Sequence, residues 1–361
     1  MRFEAKGLVE LVKTMCLRAG SEEAEAALVA RHLVDANLMG HDSHGIGMLA
    51  VYVEELLDGR LKPGRHVTVV RDAGPFLVLD GNRGYGQVIG GEAMALGIAK
   101  AGEHGVAVVA LRNTHHLGRI GAWAEMCLEQ GLISIHYVNV HGHRPLVAPF
   151  GGSDSRFTTN PYCTAIPATD HNPPIVLDMA TSRVAHGKLR VAHAAGREVA
   201  DGILIDADGK PTRDPGVMFR EPPGSMLPMG EHKGYGLALV CEILAGALTG
   251  GGTCLPEREH LATIINNMLT VIIDPAALTE VAEFQREVDA FTAHVKASPP
   301  APGVEEVMVP GDPERKARAE REANGVPLSD GAWAEIVGAA EKLGIERAEV
   351  EAIAGVRGPD A

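Results

Sequence analysis

The first sixty residues alternate between apolar and polar positions with the period of a helix. Apolar side chains recur at helical spacing at Leu28, Val29, Leu33 and Leu38. This pattern predicts a helix that opens near Ser21 and ends before Gly40, and the same period over residues 49–57 predicts a second helix. Residues 41–48 lie between the two helices and carry two imidazoles, a carboxylate and a hydroxyl. This octet is either an ordinary helix N-cap or a site for proton transfer.

From residue 67 the pattern changes to short apolar runs that alternate with helical periods. The runs that predict strands are residues 67–70, 76–79, 106–111, 132–138, 175–177 and 271–273. Helical periods cover residues 88–101, residues 237–248 and the segment after residue 310. Strand, helix and strand in succession predict an α/β protein. The long segment 139–174, which is rich in Gly and Pro, is predicted to be a functional stretch without regular structure.

Composition narrows the class of protein. The chain has 361 residues, 45% of them hydrophobic, and a formal net charge of -14, so it can bury a large core but offers no basic surface for nucleic acid. It shows no signal peptide and no membrane span, so we expect a cytoplasmic protein. The five cysteines are scattered, which argues against a disulfide framework or a zinc ribbon. A small anionic substrate would need a local positive pocket.

The glycine-rich segment 84–90 follows a predicted strand and opens a helix, loosely as a dinucleotide-binding fingerprint does. Its spacing is one residue too long for that fingerprint. The next strand is followed by Arg112 and Asn113 instead of the acidic residue that would hold a ribose. We therefore do not expect a Rossmann site there.

Polar groups follow the predicted strands. His115 and His116 come after the strand at residues 106–111, where α/β sheets place chemistry. Asp178 ends the strand at residues 175–177, and the hydroxyl residues after it are predicted to open a helix whose free amides could hold a phosphate. Lys233 stands at another glycine-lined helix start and is either an anion clamp or a solvated lysine.

The histidines leave a second class of enzyme open. They stand at His41, His44, His115, His116, His141 and His143. Pairs separated by one or two residues permit metal ligation, so a metal-dependent hydrolase or aldolase is the alternative interpretation. The sequence lacks a recognised motif such as His-Glu-x-x-His, and we expect no metal site.

A set of motifs resembles the malate/L-lactate dehydrogenase-2 family, which includes sulfolactate and ureidoglycolate dehydrogenases and is unrelated to the Rossmann lactate dehydrogenases. The motifs are Asp42-Ser43-His44-Gly45, Asn113-Thr114-His115-His116-Leu117-Gly118, Thr159-Asn160-Pro161, Leu177-Asp178-Met179-Ala180-Thr181-Ser182, Gly187-Lys188, His232-Lys233-Gly234-Tyr235-Gly236 and Pro310-Gly311. The resemblance runs essentially from end to end. Within the family, residues 41–48 and 154–157 most resemble the hydroxycarboxylate dehydrogenase B branch.

The resemblance implies an α/β protein with the L-sulfolactate dehydrogenase-like fold, in which a non-Rossmann NAD(P)-binding lobe with a mixed sheet accompanies a helical domain built from both termini. The implied parts are an N-terminal helical part (1–70, joined by helices of 310–361), a central α/β part (71–125 and 256–309) and a cofactor-binding lobe (126–255). It further implies a homodimer that uses NAD or NADP to interconvert small 2-oxo and 2-hydroxy acids, with neither nucleic acid nor membrane as a partner.

The resemblance also assigns roles to individual residues. The catalytic residues would be His44 as proton donor and acceptor, Asp178 as the assisting carboxylate and His116 as a second polar group at the reacting carbonyl. The substrate-binding residues would be Ser43, Met48, Tyr52, Thr159 and Asn160. The cofactor-binding residues would be His116, Asp178, Met179, Ala180, Thr181, Ser182, His232, Lys233, Pro310, Gly311, Asp312 and Glu314.

Two of these residues carry further expectations. Many family members have an arginine in place of Met48, where it is thought to hold a substrate carboxylate. Because Met is apolar and adaptable, an aromatic or aliphatic 2-oxo acid fits this chain better than a dicarboxylic acid. His44 is expected to titrate near neutrality, so that it serves as acid in reduction and as base in oxidation. A buried Asp178 beside it would keep the ring protonated.

Overall fold

The computed structural model of the chain describes residues 1–194 and 196–357. The strands are β1 (Arg2–Phe3), β2 (Thr68–Ala73), β3 (Phe76–Asp80), β4 (Val106–Thr114), β5 (Ile133–His141), β6 (Tyr162–Ile166), β7 (Ile175–Met179), β8 (Leu204–Ile205), β9 (Pro211–Thr212), β10 (Ser225–Met226), β11 (Ile265–Ile273), β12 (Val326–Pro327) and β13 (Val356–Arg357). The α-helices are α1 (Ala5–Arg18), α2 (Glu23–Leu38), α3 (Leu49–Leu57), α4 (Gly86–His104), α5 (Gly121–Leu128), α6 (His186–Ala194), α7 (His232–Cys241), α8 (Val281–Lys296), α9 (Asp312–Asn324), α10 (Asp330–Lys342) and α11 (Arg347–Ala354). In the described part of the chain, no helix has both the length and the apolar character that crossing a membrane requires.

A seven-stranded mixed sheet has the strand order β2-β3-β4-β11-β5-β6-β7. Strands β3 and β4 are parallel and are joined through α4, whereas the other neighbours pair antiparallel. Ala107, Val109 and Leu111 of β4 are fully buried, as the continuous apolar run predicts. The predicted α/β class with a mixed sheet is confirmed.

The two ends of the chain share one hydrophobic core. Helices α1, α2 and α3 contribute Leu11, Leu33 and Tyr52, and the C-terminal helices contribute Trp333 and Val350. Strand β1 pairs with β12 on one side and β13 on the other, which ties the ends together. The division of the chain into three parts stays a prediction; strands from its central part and its cofactor-binding lobe pair in the single sheet above.

Two local predictions are wrong. The segment 139–174 is not without regular structure, because Tyr162–Ile166 forms β6 between β5 and β7. Thr181 and Ser182 do not open a helix, since α6 begins only at His186. Their hydroxyls instead donate within the loop: Thr181 donates to the carbonyl of Thr159 at 3.0 Å, and Ser182 donates to that of Val184 at 2.8 Å.

Candidate active site

One large cleft collects residues from the turn after α2, from the loops after β4 and β7, from α6 and from the start of α9. Ten of the residues that the resemblance singles out line this cleft: Ser43, His44, Met48, His116, Thr159, Asp178, Met179, Ala180, Ser182 and Glu314. They lie up to 271 positions apart in sequence, from Ser43 to Glu314. The fold therefore brings the predicted catalytic histidines and much of the predicted cofactor segment to one place.

The turn that carries His44 is held by side chains from α2 and α9. Asn37 accepts from the backbone N–H of Ile46 at 2.8 Å and donates to Asp42 at 2.7 Å. Arg321 then donates to both carboxylate oxygens of Asp42, at 2.6 and 2.9 Å. Gly45 allows this closeness, because a Cβ there would lie 2.2 Å from the Asn37 side-chain oxygen.

The turn is not an N-cap in the ordinary sense. Residues Asp42–His44 and Ile46–Met48 form two short 3-10 turns, and neither has a side-chain capping bond. Asp42 is engaged by Arg321, and the hydroxyl of Ser43 lies 3.0 Å from Nδ1 of His44. The structure thus gives both residues partners other than the free amides of α3.

Burial decides the charge of His44. Desolvation lowers the pKa of His44 to about 4; the Asp178 carboxylate opposes this, whereas His41 and Arg119 add to it. The expectation of a pKa near neutrality, with an aspartate that keeps the ring protonated, is therefore wrong. The imidazole is neutral at pH 7, which is the form that can accept a proton.

His116 is fixed by a buried chain of hydrogen bonds. Its ring stacks on that of His44, with centroids 5.5 Å apart and planes inclined by 11°. The Tyr52 hydroxyl lies 2.8 Å from Nδ1 of His116 and accepts a hydrogen bond from the Gln87 amide at 2.8 Å. Since the Gln87 amide already donates to this oxygen, we assign the Tyr52 proton to Nδ1 and the hydrogen of His116 to Nε2. Burial, followed by the charges of His44 and His115, lowers the pKa of His116 well below its usual value.

Asp178 is only half-buried, and its nearest recorded partner is backbone. Its Oδ2 accepts from the N–H of Gly121, the first residue of α5, at 2.7 Å. Its charge raises the pKa of His44 and also that of the buried Arg119 guanidinium. Asp178 therefore acts on His44 through its charge, while its Oδ2 is held by the backbone of α5.

A buried hydrogen-bonded pair, His115 and Glu55, lies behind the two stacked histidines. His115 and Glu55 are 2.7 Å apart, with side chains 0% and 5% exposed. The Thr263 hydroxyl donates to the same carboxylate. This pair joins α3, which carries Tyr52, to the loop that carries His116, so the histidine doublet divides into one buried structural residue and one residue that faces the cleft.

Several predicted site residues lie outside the cleft. Tyr52 is 1% exposed and stands behind His116, and Asn160 is fully buried, where its amide donates to Glu242 at 2.7 Å. Thr181 is also buried. The remaining predicted cofactor residues that do not line the cleft are His232, Lys233, Pro310, Gly311 and Asp312. Of these, Lys233 is exposed at the start of α7, and Asp312 is bound by Lys296 at 2.9 Å.

The cleft is more basic than the rest of the chain. Its basic side chains are Arg2, Arg119, Arg144, Arg183, Lys188, Arg190 and Arg197, whereas its carboxylates are Asp42, Glu55, Asp178 and Glu314. The whole chain carries a net charge of -14. The structure therefore supplies the local positive pocket that a small anionic substrate would need.

The glycine-rich segment 84–90 serves packing. A Cβ at Gly86 would lie 2.1 Å from the backbone oxygen of His116, and one at Gly90 would lie 2.7 Å from the Trp123 ring. These glycines therefore allow α4 to approach the His116 loop and α5 closely. Within the described residues, no group of three or more His, Cys, Asp or Glu side chains is arranged to hold a metal ion, so the metal-enzyme alternative gains no support.

Comparison with known proteins identifies the class. A family model described as malate/L-lactate dehydrogenase matches residues 3–337. The chain therefore belongs to this family, whose members are oxidoreductases acting on hydroxy acids.

Individual relatives cover nearly the whole chain. Hydroxycarboxylate dehydrogenase B of Escherichia coli is 48% identical over 355 residues, which is 97% of each protein. A solved chain from Escherichia coli has a TM-score of 0.92 at 48% identity and 98% coverage of both chains. Sulfolactate dehydrogenase from Methanocaldococcus jannaschii has a TM-score of 0.82 at 33% identity, with coverage of 98% of this chain and 99% of that one. The L-sulfolactate dehydrogenase-like fold is thereby confirmed.

Some site residues could not be found from the sequence. Gln87 lies in the glycine-rich segment 84–90, Glu55 directly follows Glu54 in a short and mostly apolar helix, and Arg321 lies in a charged helix that resembles a solvated face. A glutamate buried at helical spacing among leucines was the one available signal, because a buried carboxylate requires a partner. Nothing local indicated that Gln87 or Arg321 reaches the site.

Proposed function

We propose that the protein interconverts 2-oxo acids and 2-hydroxy acids by hydride transfer with NAD or NADP, with His44 as the proton donor and acceptor. The observation that carries this proposal is the pair of stacked imidazoles, 5.5 Å apart, in a basic cleft shared with the segment that follows β7. Two imidazoles at one reacting centre can divide proton transfer and oxygen stabilisation between them.

The lining of the cleft fits a nicotinamide dinucleotide. Besides the histidines, the lining includes the apolar side chains of Met179 and Ala180 and the polar side chain of Ser182. Glu314, near the start of α9, adds a second polar group. The basic side chains around them suit the phosphates. When bound, the dinucleotide supplies the hydride for reduction and accepts it in oxidation. We retain Lys233 and the residues around Gly311 as proposed contacts, although they do not line the cleft of the single chain.

His116 holds the carbonyl oxygen of the substrate. Its Nδ1 is occupied by Tyr52, so Nε2–H is the group that can donate to that oxygen. Its lowered pKa keeps it a neutral donor, one that does not compete with His44 for the transferred proton.

His44 transfers the proton. In oxidation its neutral ring takes the proton from the substrate hydroxyl while the hydride leaves the carbon that bears this hydroxyl and passes to the oxidised cofactor. In reduction the ring must first be protonated, which the negative charges of Asp178 and of a bound substrate carboxylate both favour. Ser43, 3.0 Å from Nδ1, fixes the ring so that Nε2 is available to the substrate.

We also propose the homodimer that the resemblance implies. An apolar face lies on α7 and on the π-helix that continues it, Glu242–Leu248. Its side chains, each at least 40% exposed, are Leu239, Val240, Ile243 and Leu248. A second copy would cover this apolar face. Sedimentation analysis tests it: a monomer at micromolar concentration would contradict the proposal.

A panel of 2-oxo acids run with NADH and with NADPH tests the proposed activity. Pyruvate, phenylpyruvate and oxaloacetate are the substrates, and loss of the reduced nicotinamide is followed by its absorbance. We expect turnover of at least one monocarboxylic acid that persists after exhaustive chelation. No turnover with either cofactor, or activity lost on chelation and restored by zinc, would contradict the proposal and favour the metal enzyme.

A further inference from the structure

Arg144, His186 and Arg190 form a polar wall of the cleft, in which the two guanidinium groups carry the positive charge. All three line the cleft, and Arg190 and His186 lie on α6, which faces the turn that carries His44. Burial, followed by the charges of His143, Arg144 and Arg190, lowers the pKa of His186 to about 4. The packing places Arg144 near them: the ring of His186 lies 5.6 Å from that of Phe219, and Arg144 donates to the carbonyl of Met218, the residue before Phe219.

The wall adjoins the catalytic turn at residue 48. A Cβ at Gly187 would lie 3.2 Å from the Cβ of Ser43, so α6 packs directly on the turn. A guanidinium nitrogen of Arg190 lies 3.9 Å from the position that a Cβ at Gly47 would occupy. Gly47 immediately precedes Met48, whose side chain is uncharged. Arg190 therefore places a positive charge beside residue 48.

The groups of this wall retain unused binding capacity. Arg144 donates from one nitrogen to the Met218 carbonyl at 2.5 Å, and no described carboxylate lies within ion-pair distance of it. The pair of Arg190 with Glu335 is 3.4 Å long, and both side chains are more than 40% exposed, so it contributes little. Nε2 of His186 is buried and has no hydrogen-bond partner among the residues that the structure describes. Two guanidinium groups with unused N–H donors, next to a buried imidazole nitrogen that has no described partner, are suited to binding an anion.

We propose that Arg144 and Arg190 bind the carboxylate of the 2-oxo acid, with His186 beside them, while Met48 contacts the substituent on the other side of the carbonyl. This inference rests on the proposed function. In a 2-oxo acid the carboxylate is bonded to the reacting carbonyl carbon, so the group that binds it must adjoin His44. Planar guanidinium groups bind a carboxylate in a fixed orientation, which would present the carbonyl to His44 and His116 in one pose.

The test compares an anionic substrate with its neutral analogue. The variants are Arg144→Met and Arg190→Met, and Arg220→Met is the matched control, because Arg220 lies outside the cleft and pairs with Asp214. For each protein, kcat/KM is measured for a 2-oxo acid and for its methyl ester. Cofactor affinity is measured by fluorescence titration, and oxamate binding to the protein–cofactor complex by calorimetry.

We expect each cleft variant to lose about 10- to 100-fold in kcat/KM for the acid, the value of a hydrogen bond to a charged group. The ester should change by less than about threefold, oxamate binding should weaken with the acid, and cofactor affinity should hold. Arg220→Met should match the wild type, and Arg144→Lys should recover part of the loss.

Three results would overturn the inference while leaving the proposed function intact. They are equal losses for acid and ester, a weakened cofactor affinity that assigns the wall to the dinucleotide phosphates, and no change at all. If Arg144→Met fails to fold because the Met218 carbonyl loses its donor, Arg190→Met alone decides. A wild-type protein that reduces no 2-oxo acid would instead refute the proposed function.

Discussion

Replacing Tyr52 with phenylalanine tests whether the buried chain behind His116 is part of the chemistry. The hydroxyl is 2.8 Å from Nδ1 of His116 and 2.8 Å from the Gln87 amide, and Tyr52 is only 1% exposed. The substitution removes one oxygen and keeps the ring. It therefore leaves two buried polar groups without a partner and frees His116 to move its hydrogen from Nε2 to Nδ1.

The size of the effect follows from these contacts. Each unpartnered buried polar group costs about 1–3 kcal/mol, so the two groups together lead us to expect a loss of roughly 2–6 kcal/mol of unfolding free energy in Tyr52→Phe. If Nε2–H of His116 donates to the substrate oxygen, the shift of this hydrogen to Nδ1 removes that hydrogen bond from the transition state. The loss of about 1–3 kcal/mol of transition-state stabilisation would lower kcat roughly 5- to 150-fold. Cofactor affinity should not change, because Tyr52 does not line the cleft.

Tyr85→Phe is the matched control. Tyr85 is also buried, its ring lies 6.0 Å from that of Tyr52, and its hydroxyl meets Ser21 and Cys16 at 3.3 and 3.9 Å. Tyr85→Phe also removes a buried hydroxyl, but one whose partners are Ser21 and Cys16 and not His116. Steady-state kinetics and urea unfolding are measured for both variants. A Tyr52→Phe protein that loses stability but keeps kcat within about twofold of the wild type would refute a role for the chain in the reaction.

Three further predictions concern charge. Because the neutral form of His44 serves oxidation and its pKa is lowered to about 4, kcat/KM for a 2-hydroxy acid should stay nearly level from about pH 7.5 to about pH 5.5. A limb with its midpoint above about pH 5.5 would contradict this. Arg321→Met should lower kcat about 3- to 10-fold with unchanged cofactor affinity, since Asp42 then loses its bidentate partner and the His44 turn loosens; an equal effect from Arg318→Met would assign it to general stability. Burial lowers the pKa of His136 to about 3, so below about pH 6.5 this histidine is protonated in the unfolded chain but not in the folded one, and the unfolding free energy falls as pH falls. Urea unfolding of His136→Asn should therefore show an unfolding free energy that depends on pH less steeply, by about 1.4 kcal/mol per pH unit; equal slopes in variant and wild type would refute this.

Local patterns predicted the elements whose formation depends on local sequence. Helix α2 and strand β4 form where the apolar period and the continuous apolar run predict them, because each buries its own apolar positions. Strand β6 escaped prediction since its five residues lie among prolines and glycines, and pairing with β5 and β7 makes it a strand. Tertiary pairing of this kind leaves no local signal.

The sequence predicts the motif residues of the site but not the residues that hold them in position. His44, His116 and Asp178 were found because the motifs that contain them resemble a family, and the structure places all three in one cleft. The role of Gln87 depends on Tyr52, which lies 35 positions away, and the lowered pKa of His44 depends on the surfaces that bury it. Distance in sequence and degree of burial are properties of the folded chain, so residue types alone could not supply them.

The reduction kinetics of His44→Ala test the central claim most directly. The variant should fold and bind the reduced cofactor as the wild type does, because the turn is held by Asn37, Asp42 and Arg321 and does not need the imidazole. Loss of general acid catalysis should lower kcat about 100- to 10,000-fold. A folded variant that keeps more than about a tenth of the wild-type kcat, a change of less than about 1.4 kcal/mol in the barrier, would remove His44 from the mechanism and pass its role to His116.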